Sequence, residues 1–248
     1  MNASPQDPSN TRCAACGQPL EGWYTRDMWG NATCSRHEAE FPRCSACTRL
    51  ICPRLTGGGV TYADGRQVCM LCRRTAIDSK EQARPYVNAV AAWLYERGFR
   101  FSDLKLRIDL VSRGDFGPAK NGPGAVQGQF RGVIDGRGHR AVEGINVLYG
   151  LPRRLMQGVF AHELGHAWLF LERIDGLAPP IEEGFCQVMA YLFHRDSGSQ
   201  EGRVYMRMIE EDQNRVYGEG FRNLREAVGH HSFVYVLDYI RQNKALPV

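Results

Sequence analysis

The residues of this chain with the clearest chemical potential are His162, Glu163 and His166, which form an H-E-x-x-H motif. Residues four apart on an α-helix share a face, with Cβ atoms about 5–6 Å apart. Two imidazoles at this spacing can reach one metal ion, and the carboxylate between them lies beside the reacting water. The pattern is typical of zinc hydrolases, in which the metal polarises water and carbonyl and the carboxylate takes the proton.

The motif requires a helix, and the sequence predicts one over residues 152–172. On a helical wheel the three motif residues fall on the apolar side, which we expect to face the core. That side holds Leu155, Val159 and Phe170, whereas the opposite side holds Arg154, Ala161, Trp168 and Glu172. Burying unpartnered polar groups costs several kcal/mol, so we expect a metal and a water to be their partners.

A catalytic zinc usually has three protein ligands, so a third one must come from elsewhere in the chain. A second helix predicted over residues 179–194 carries Glu182 and Glu183 in its first turn. The helical wheel favours Glu182, which lies nearer the apolar side. The order Glu183-Gly184-Phe185 instead resembles the Glu-Gly-Phe at the third ligand of zinc aminopeptidases. We select Glu183 and keep Glu182 as the alternative.

Eight of the nine cysteines precede residue 73, and seven of them combine with one histidine into two four-ligand sets. The sets are Cys13, Cys16, Cys34 and His37, and then Cys44, Cys47, Cys69 and Cys72. This paired spacing is typical of structural zinc sites. A disulfide framework would need an oxidising compartment, and the polar first residues lack the apolar core of a signal peptide. We therefore predict two structural zinc ions and a cytoplasmic protein, with Cys52 and Cys186 left as buried or spare thiols.

Composition indicates a soluble globular protein, because 43% of its 248 residues are hydrophobic and 23% are charged. No apolar stretch approaches the length of a membrane span. The net charge is +4, and residues 1–80 carry ten Lys and Arg against seven Asp and Glu. This excess is too small and scattered for a phosphate-binding stripe, so nucleic acid is an unfavoured partner.

The pattern along the chain predicts a disordered tail at 1–11, a double zinc module at 12–75 and one larger domain at 76–248. Within the larger domain, Ser79 is the predicted cap of a helix to about residue 97, and Pro85 must lie in its first turn or the helix must start later. The other elements predicted before and after the motif helix are strands at 104–111, 129–134 and 140–148 and helices near 201–216 and 232–243. The last strand directly precedes the motif helix, where its edge could pair with an extended peptide.

Three separated segments of the chain resemble, in the same order, the peptidase domain of the plant LIM-domain proteins that limit organ growth, and of their shorter bacterial relatives. The segments are Leu148-Tyr149-Gly150-Leu151-Pro152, then His162-Glu163-x2-His166-Ala167-Trp168-Leu169, and then Glu182-Glu183-Gly184-x-Cys186-Gln187. The resemblance implies an α+β, zincin-like domain of gluzincin type behind a LIM-like module. It also implies cleavage of protein or peptide substrates, with ubiquitin or another protein as regulator.

The sequence therefore predicts a zinc metallopeptidase in which His162, His166 and Glu183 hold one ion and Glu163 is the base. The oxyanion needs a second stabiliser besides zinc, for which the sequence offers unranked candidates. These candidates are Tyr191, Tyr205, Tyr217, His230 and His231. The alternative function is a zinc-module adaptor that binds a protein partner and carries a latent or inactive peptidase fold.

Overall fold

The computed structural model describes residues 12–101, 106–116 and 126–247. The predicted tail at 1–11 and the start of the predicted strand at 104–111 lie outside these ranges. The chain divides into two compact units of mixed α and β structure. The first is Met1–Ala76 with Gly150–Pro152, and the second is Ile77–Tyr149 with Arg153–Val248.

The first unit contains two antiparallel hairpins, and a short helix follows each hairpin. The elements of its first half are β1 (Tyr24–Arg26), β2 (Ala32–Cys34) and α1 (His37–Glu40). Those of its second half are α2 (Pro53–Thr56), β3 (Gly59–Thr61), β4 (Gln67–Cys69) and α3 (Met70–Arg73). Cysteines make up much of the buried interior, together with small clusters such as Leu20 and Ala32.

The second unit starts with the predicted capped helix. After β5 (Ala76–Ile77), α4 (Lys80–Glu96) begins at a Ser79 capping box in which Gln82 donates its backbone N–H to the Ser79 hydroxyl. Pro85 neither lies in the first turn nor delays the start of the helix, so both expectations are wrong: α4 starts directly after Ser79, and Pro85 is its sixth residue. Its missing N–H costs one helical hydrogen bond, while Ala83, Val87, Val90 and Leu94 remain buried along one face.

A three-stranded sheet in the second unit consists of β6 (Ile108–Val111), β7 (Gly128–Ile134) and β8 (Arg140–Leu148). β8 is the central strand, parallel to β6 and antiparallel to β7. The expectation that the strand before the motif helix offers a free edge is therefore wrong. Among the described strands of this sheet the edges are β6 and β7, and the short β9 (Leu151–Pro152) follows β8 in the chain.

Helices form the rest of the second unit. They are α5 (Arg153–Leu171), α6 (Pro179–Asp196), α7 (Gln200–Glu210), α8 (Gly218–His230) and α9 (Phe233–Asn243). The sequence did not predict α8, and it extended α7 too far, into the turn residues that precede α8. Within the described ranges, none of these helices combines the length and apolar character needed to cross a membrane.

The motif helix α5 is covered on nearly every side. Ala161 and Trp168, expected on the side away from the core, are both buried, as is Glu163. The helical wheel placed Glu163 correctly on the core side but misplaced Ala161 and Trp168. Because α4, α6 and the sheet all pack against α5, this helix has no single solvent-exposed face.

Candidate metal centre

Helices α5 and α6 pack closely and bring three predicted ligands together. The imidazole rings of His162 and His166 have centroids 5.0 Å apart. Glu183 Oε2 lies 3.1 Å from His162 Nε2 and 3.4 Å from His166 Nε2. The Glu183 side chain is buried and those of the two histidines are largely buried. One carboxylate oxygen and two ring nitrogens therefore face a common point.

These distances fit a zinc ion. With zinc–nitrogen and zinc–oxygen bonds near 2.0–2.2 Å, neighbouring ligand atoms of a tetrahedral site lie about 3.3 Å apart. The two separations between Glu183 and the imidazoles match this value within a few tenths of an ångström. Two histidines and one glutamate are also a common ligand set of catalytic zinc sites, in which the fourth coordination position is open to water or substrate.

The structure places the two neighbouring glutamates at different nitrogens of His166. Glu182 Oε1 lies 3.1 Å from Nδ1 of His166, on the far side of the ring from the nitrogen that faces Glu183. Ligand histidines usually donate their second N–H to such a carboxylate, which fixes the ring and its tautomer. The helical wheel favoured Glu182 as ligand, whereas in the structure Glu183 is buried and the Glu182 side chain is 46% exposed.

Cys186 lies next to the same histidines. Its sulfur and one nitrogen of each imidazole fall within 4.8 Å of one another. The Cys186 sulfur also packs on α5 at Gly165, where a Cβ would lie 3.1 Å away. Burial raises the pKa of the Cys186 thiol to about 12, which without a metal disfavours the thiolate.

Electrostatics in the cluster favour an anionic Glu183. Burial alone would raise the pKa of Glu183, but hydrogen bonds from His162 and His166 lower that pKa below its ordinary range. Burial likewise opposes protonation of His166, yet contacts with Cys186, Glu182 and Glu183 raise the pKa of His166 well above its usual value. A metal ion would take the place of this proton, since a ligand histidine must be neutral.

Glu163 lies under the edge strand β7, in the same cluster as the two histidines. It is buried, and burial raises the pKa of its carboxyl group despite the nearby imidazoles. The backbone N–H of Phe130 donates a hydrogen bond to this carboxylate. A Cβ on Gly128 would lie only 2.5 Å from Glu163 Oε1, so β7 can approach α5 because residue 128 is glycine.

The five candidates for oxyanion stabilisation fall in different places. Tyr217, just before α8, has its ring centroid 6.3 Å from that of His162. Tyr191 donates its hydroxyl to Glu210, and Tyr205 packs against His194. His230 and His231 lie at the other end of α8. Sequence reasoning missed Gly128 and the Phe130 amide, although a glycine opening a predicted strand was a usable signal.

The first unit holds both predicted four-ligand sets as compact clusters. In each, the ligand atoms of Cys13, Cys16, Cys34 and His37, or of Cys44, Cys47, Cys69 and Cys72, lie within 4.8 Å of one another. Cys47 Sγ and Cys69 Sγ are 3.7 Å apart. Two sulfur ligands of a tetrahedral zinc site lie about 3.8 Å apart when the zinc–sulfur bonds are about 2.3 Å long. The clusters therefore have the composition and spacing to bind zinc.

His37 shows how the first cluster is prepared for a metal. Its Nδ1 lies 2.6 Å from Glu40 Oε2, whereas its Nε2 is buried without a hydrogen-bond partner among the described residues. The proximity of His37 lowers the pKa of Cys16 to about 6, which favours the thiolate. An orphaned ring nitrogen beside thiolates is the expected arrangement of a ligand histidine.

The fold and the clusters define a two-unit protein with a cysteine-rich module of LIM-like composition and a His-Glu-His cluster between two packed helices. The family model described as DA1-like, Protein DA1, matches residues 133–203, which include the H-E-x-x-H motif and the Glu182-Glu183 pair. This match supports the resemblance to the plant family at the level of DA1-like proteins.

Curated relatives extend the similarity over most of the chain. Protein DA1-related 1 and Protein DA1 of Arabidopsis thaliana are 26% and 27% identical to it, each over 89% of this chain. LIM domain-containing protein HDR3 of Oryza sativa subsp. japonica is 26% identical over 89% of this chain. The matches cover 51%, 52% and 57% of those three proteins, so the chain spans about half their length. No solved structure matches this chain.

Proposed function

We propose that the second unit is a zinc-dependent peptidase, and that the first unit carries two structural zinc ions. The observation that carries this proposal is the common point faced by His162, His166 and Glu183, with the spacing that zinc requires. The buried Glu163 in the same cluster supplies an acid–base group, which a purely structural site would not need.

In the proposed reaction His162, His166 and Glu183 hold the metal, and Glu182 orients His166 through its Nδ1. Bound zinc supplies Lewis-acid polarisation of the reacting water and the scissile carbonyl. Glu163 takes a proton from the attacking water on a carboxylate oxygen and gives it to the nitrogen of the leaving amine. A carboxyl pKa raised by burial suits both transfers, because it lies nearer the working pH.

The edge strand β7 favours an extended peptide as substrate. Phe130 of this strand contacts Glu163 through its backbone, and its ring packs against Phe170 of α5. The strand therefore lies directly beside the proposed base. An unpaired strand edge can bind a peptide through main-chain hydrogen bonds, largely independently of side-chain identity. A peptide paired with β7 would pass beside Glu163, with alternate side chains pointing into the unit.

Glu163→Gln tests the proposal, with Glu143→Gln, an exposed residue of β8, as the matched control. Each purified protein is incubated with a proteome, and new protein N-termini and bound zinc are measured. We expect three zinc ions in every variant, cleavage by wild type and Glu143→Gln, and none by Glu163→Gln. Cleavage that persists in Glu163→Gln would refute the assigned base.

A protein-binding adaptor is the second candidate function, and an exposed aromatic side chain in the first unit favours it. Trp23, which precedes β1, is 91% exposed. An exposed tryptophan is a frequent anchor in protein interfaces. The adaptor function predicts that wild type and Glu163→Gln produce the same set of protein N-termini in the proteome. It also predicts that Trp23→Ala loses a protein partner that wild type captures.

A further inference from the structure

Two half-buried phenylalanines, Phe130 of β7 and Phe170 of α5, pack against each other beside the proposed base. Their ring centroids are 5.4 Å apart, and the ring planes are inclined by 57°. Neither ring belongs to the fully buried core of the second unit. We call this pair the aromatic shelf. Aromatic surface that stays partly accessible next to reactive side chains is typical of the wall of a binding site.

The motif helix fixes the position of the shelf relative to the ligands. Phe170 follows His166 by four residues and Glu163 by seven, and residues at these spacings share one face of a helix. Phe170 therefore lies one helical turn beyond His166, at a rise of about 6 Å along α5. The shelf is close enough to the ligand cluster for one short peptide to contact both.

Arg140 of β8 supports the Phe170 half of the shelf. Its guanidinium carbon lies 4.9 Å from the centroid of the Phe170 ring, and Nη1 donates a hydrogen bond to the Phe170 carbonyl at 2.6 Å. The same guanidinium forms an ion pair with Asp175. Because the charge of Arg140 is already paired, we expect the shelf to bind an apolar group rather than an anion.

Alternation along β7 brings the other half of the shelf to the same place. Gly128, Phe130 and Gly132 are two residues apart and therefore share the face of the strand that meets α5. A Cβ on Gly128 would lie 2.5 Å from Glu163 Oε1. A Cβ on Gly132 would instead meet the Phe130 and Phe170 rings, at 2.8 and 2.9 Å. The Phe130 ring thus leans along the strand, away from the proposed base.

A peptide that pairs with the edge of β7 presents its side chains alternately to the two faces of the sheet. One inward side chain then lies beside Gly128, next to Glu163. The next inward side chain, two residues along the peptide, lies beside Phe130 and reaches the shelf. Since the residue next to Glu163 adjoins the cleaved bond, the residue on the shelf is within three residues of that bond.

We propose that the aromatic shelf determines substrate specificity by binding one large apolar side chain within three residues of the cleaved bond. This role rests on the proposed peptidase function and names its substrate class, which is extended protein segments that carry such a residue at that place. Burying a side chain of the size of Leu or Phe changes affinity by about tenfold or more. We therefore expect the shelf to favour such a substrate by about tenfold over its alanine analogue.

The specificity is measured with a pair of peptides. Wild type first cleaves a proteome, and the residues around the new protein N-termini show the position at which large apolar residues are enriched. One peptide is synthesised from a cleaved sequence, and the second peptide has Ala at that position. The preference is the ratio of kcat/KM for the two peptides, and this ratio does not depend on the fraction of enzyme that is folded.

Phe170→Ala removes half of the shelf, and Tyr235→Ala, at a 48% exposed tyrosine of α9, is its matched control. Gly132→Ala is a second variant, in which both rings remain but the new Cβ displaces them. Gly136→Ala is the control for this variant, because a Cβ there meets nothing within 4 Å. Glu163→Gln reports on the peptidase function itself.

We expect wild type and both controls to prefer the apolar peptide by about tenfold, and Phe170→Ala and Gly132→Ala to show a preference of about twofold or less. Unselective cleavage by wild type would overturn the role of the shelf, and so would a preference in Phe170→Ala equal to that of wild type. If Phe170→Ala does not fold, Gly132→Ala decides in its place. If wild type cleaves no more than Glu163→Gln, the peptidase function fails and this inference fails with it, which is a different result from unselective cleavage.

Discussion

Glu182 and Glu183 are neighbours near the start of α6, yet they meet the same histidine on opposite nitrogens. Glu183 Oε2 lies 3.4 Å from His166 Nε2, while Glu182 Oε1 lies 3.1 Å from His166 Nδ1. One carboxylate is positioned to share a metal with the imidazole, and the other to hold the ring and its proton. Adjacent residues can take both roles because successive side chains on a helix point about 100° apart.

The two glutamates should therefore differ in their effect on zinc. Glu183→Gln should remove the ion of the second unit and lower bound zinc from three ions to two per chain, because it eliminates a ligand. Glu182→Gln should keep three ions but weaken affinity at this site by about 10–100-fold, as loss of an orienting carboxylate does. Elemental analysis after dialysis against graded chelator measures both, and a reversed order would contradict the assignment.

Gly128 should tolerate no side chain. In Gly128→Ala the new Cβ would lie 2.5 Å from Glu163 Oε1 and 2.7 Å from Val159, so either the carboxylate or β7 must move. We expect a stability loss of about 1–3 kcal/mol and a marked loss of cleavage, with zinc content unchanged. Gly136→Ala is the control, because a Cβ there meets nothing within 4 Å. Equal activity of the two variants would show that β7 does not constrain Glu163.

His194 should make the second unit less stable in acid. Burial, together with nearby Arg154, lowers the pKa of His194 to about 3, whereas the unfolded side chain titrates near 6.5. The unfolded state therefore binds more protons between these values, and stability falls as the pH drops below about 6.5. From pH 7 to pH 5 this amounts to about 2 kcal/mol.

The comparison of wild type with His194→Met isolates this contribution, because methionine fills a similar volume and does not titrate. Urea unfolding at pH 7 and pH 5 should show a loss in wild type that exceeds the loss in His194→Met. Any pH-dependent loss of zinc is shared by both proteins and cancels in the difference. Equal losses would mean that His194 is not held neutral in the folded unit.

Zinc removal should unfold the first unit selectively. Its folding depends on the two Cys-rich clusters, since such sites supply the folding free energy of segments with little apolar core. After chelation we expect a thiol reagent to modify all eight cysteines of this unit, including buried Cys52, which belongs to neither cluster. Cys186, in the core of the second unit, should remain protected. Protection of Cys52 in chelated protein would show that the first unit folds without metal.

Local sequence patterns were sufficient to predict the helices and strands whose formation depends on nearby residues. The Ser79 capping box, the strand over Arg140–Leu148 and the helix that carries His162 and His166 were all predicted, because each depends on neighbours a few residues away. α8 was missed because four of its thirteen residues are Gly218, Gly220, Gly229 and Asn223, which are poor helix formers. Two of these glycines are explained only by partners on other segments.

By itself, the sequence determined which residues can do chemistry: the H-E-x-x-H motif, the acidic pair and the two Cys-rich sets, since ligand type and short spacing are local properties. Only the tertiary structure decided that Glu183 and not Glu182 faces the two imidazoles. It alone decided that β7 and not β8 is the strand edge near Glu163, and that Tyr217 lies beside His162. These outcomes depend on how closely helices and strands approach one another, and that approach is set by glycines such as Gly128 and Gly184 whose partners lie far away in the chain.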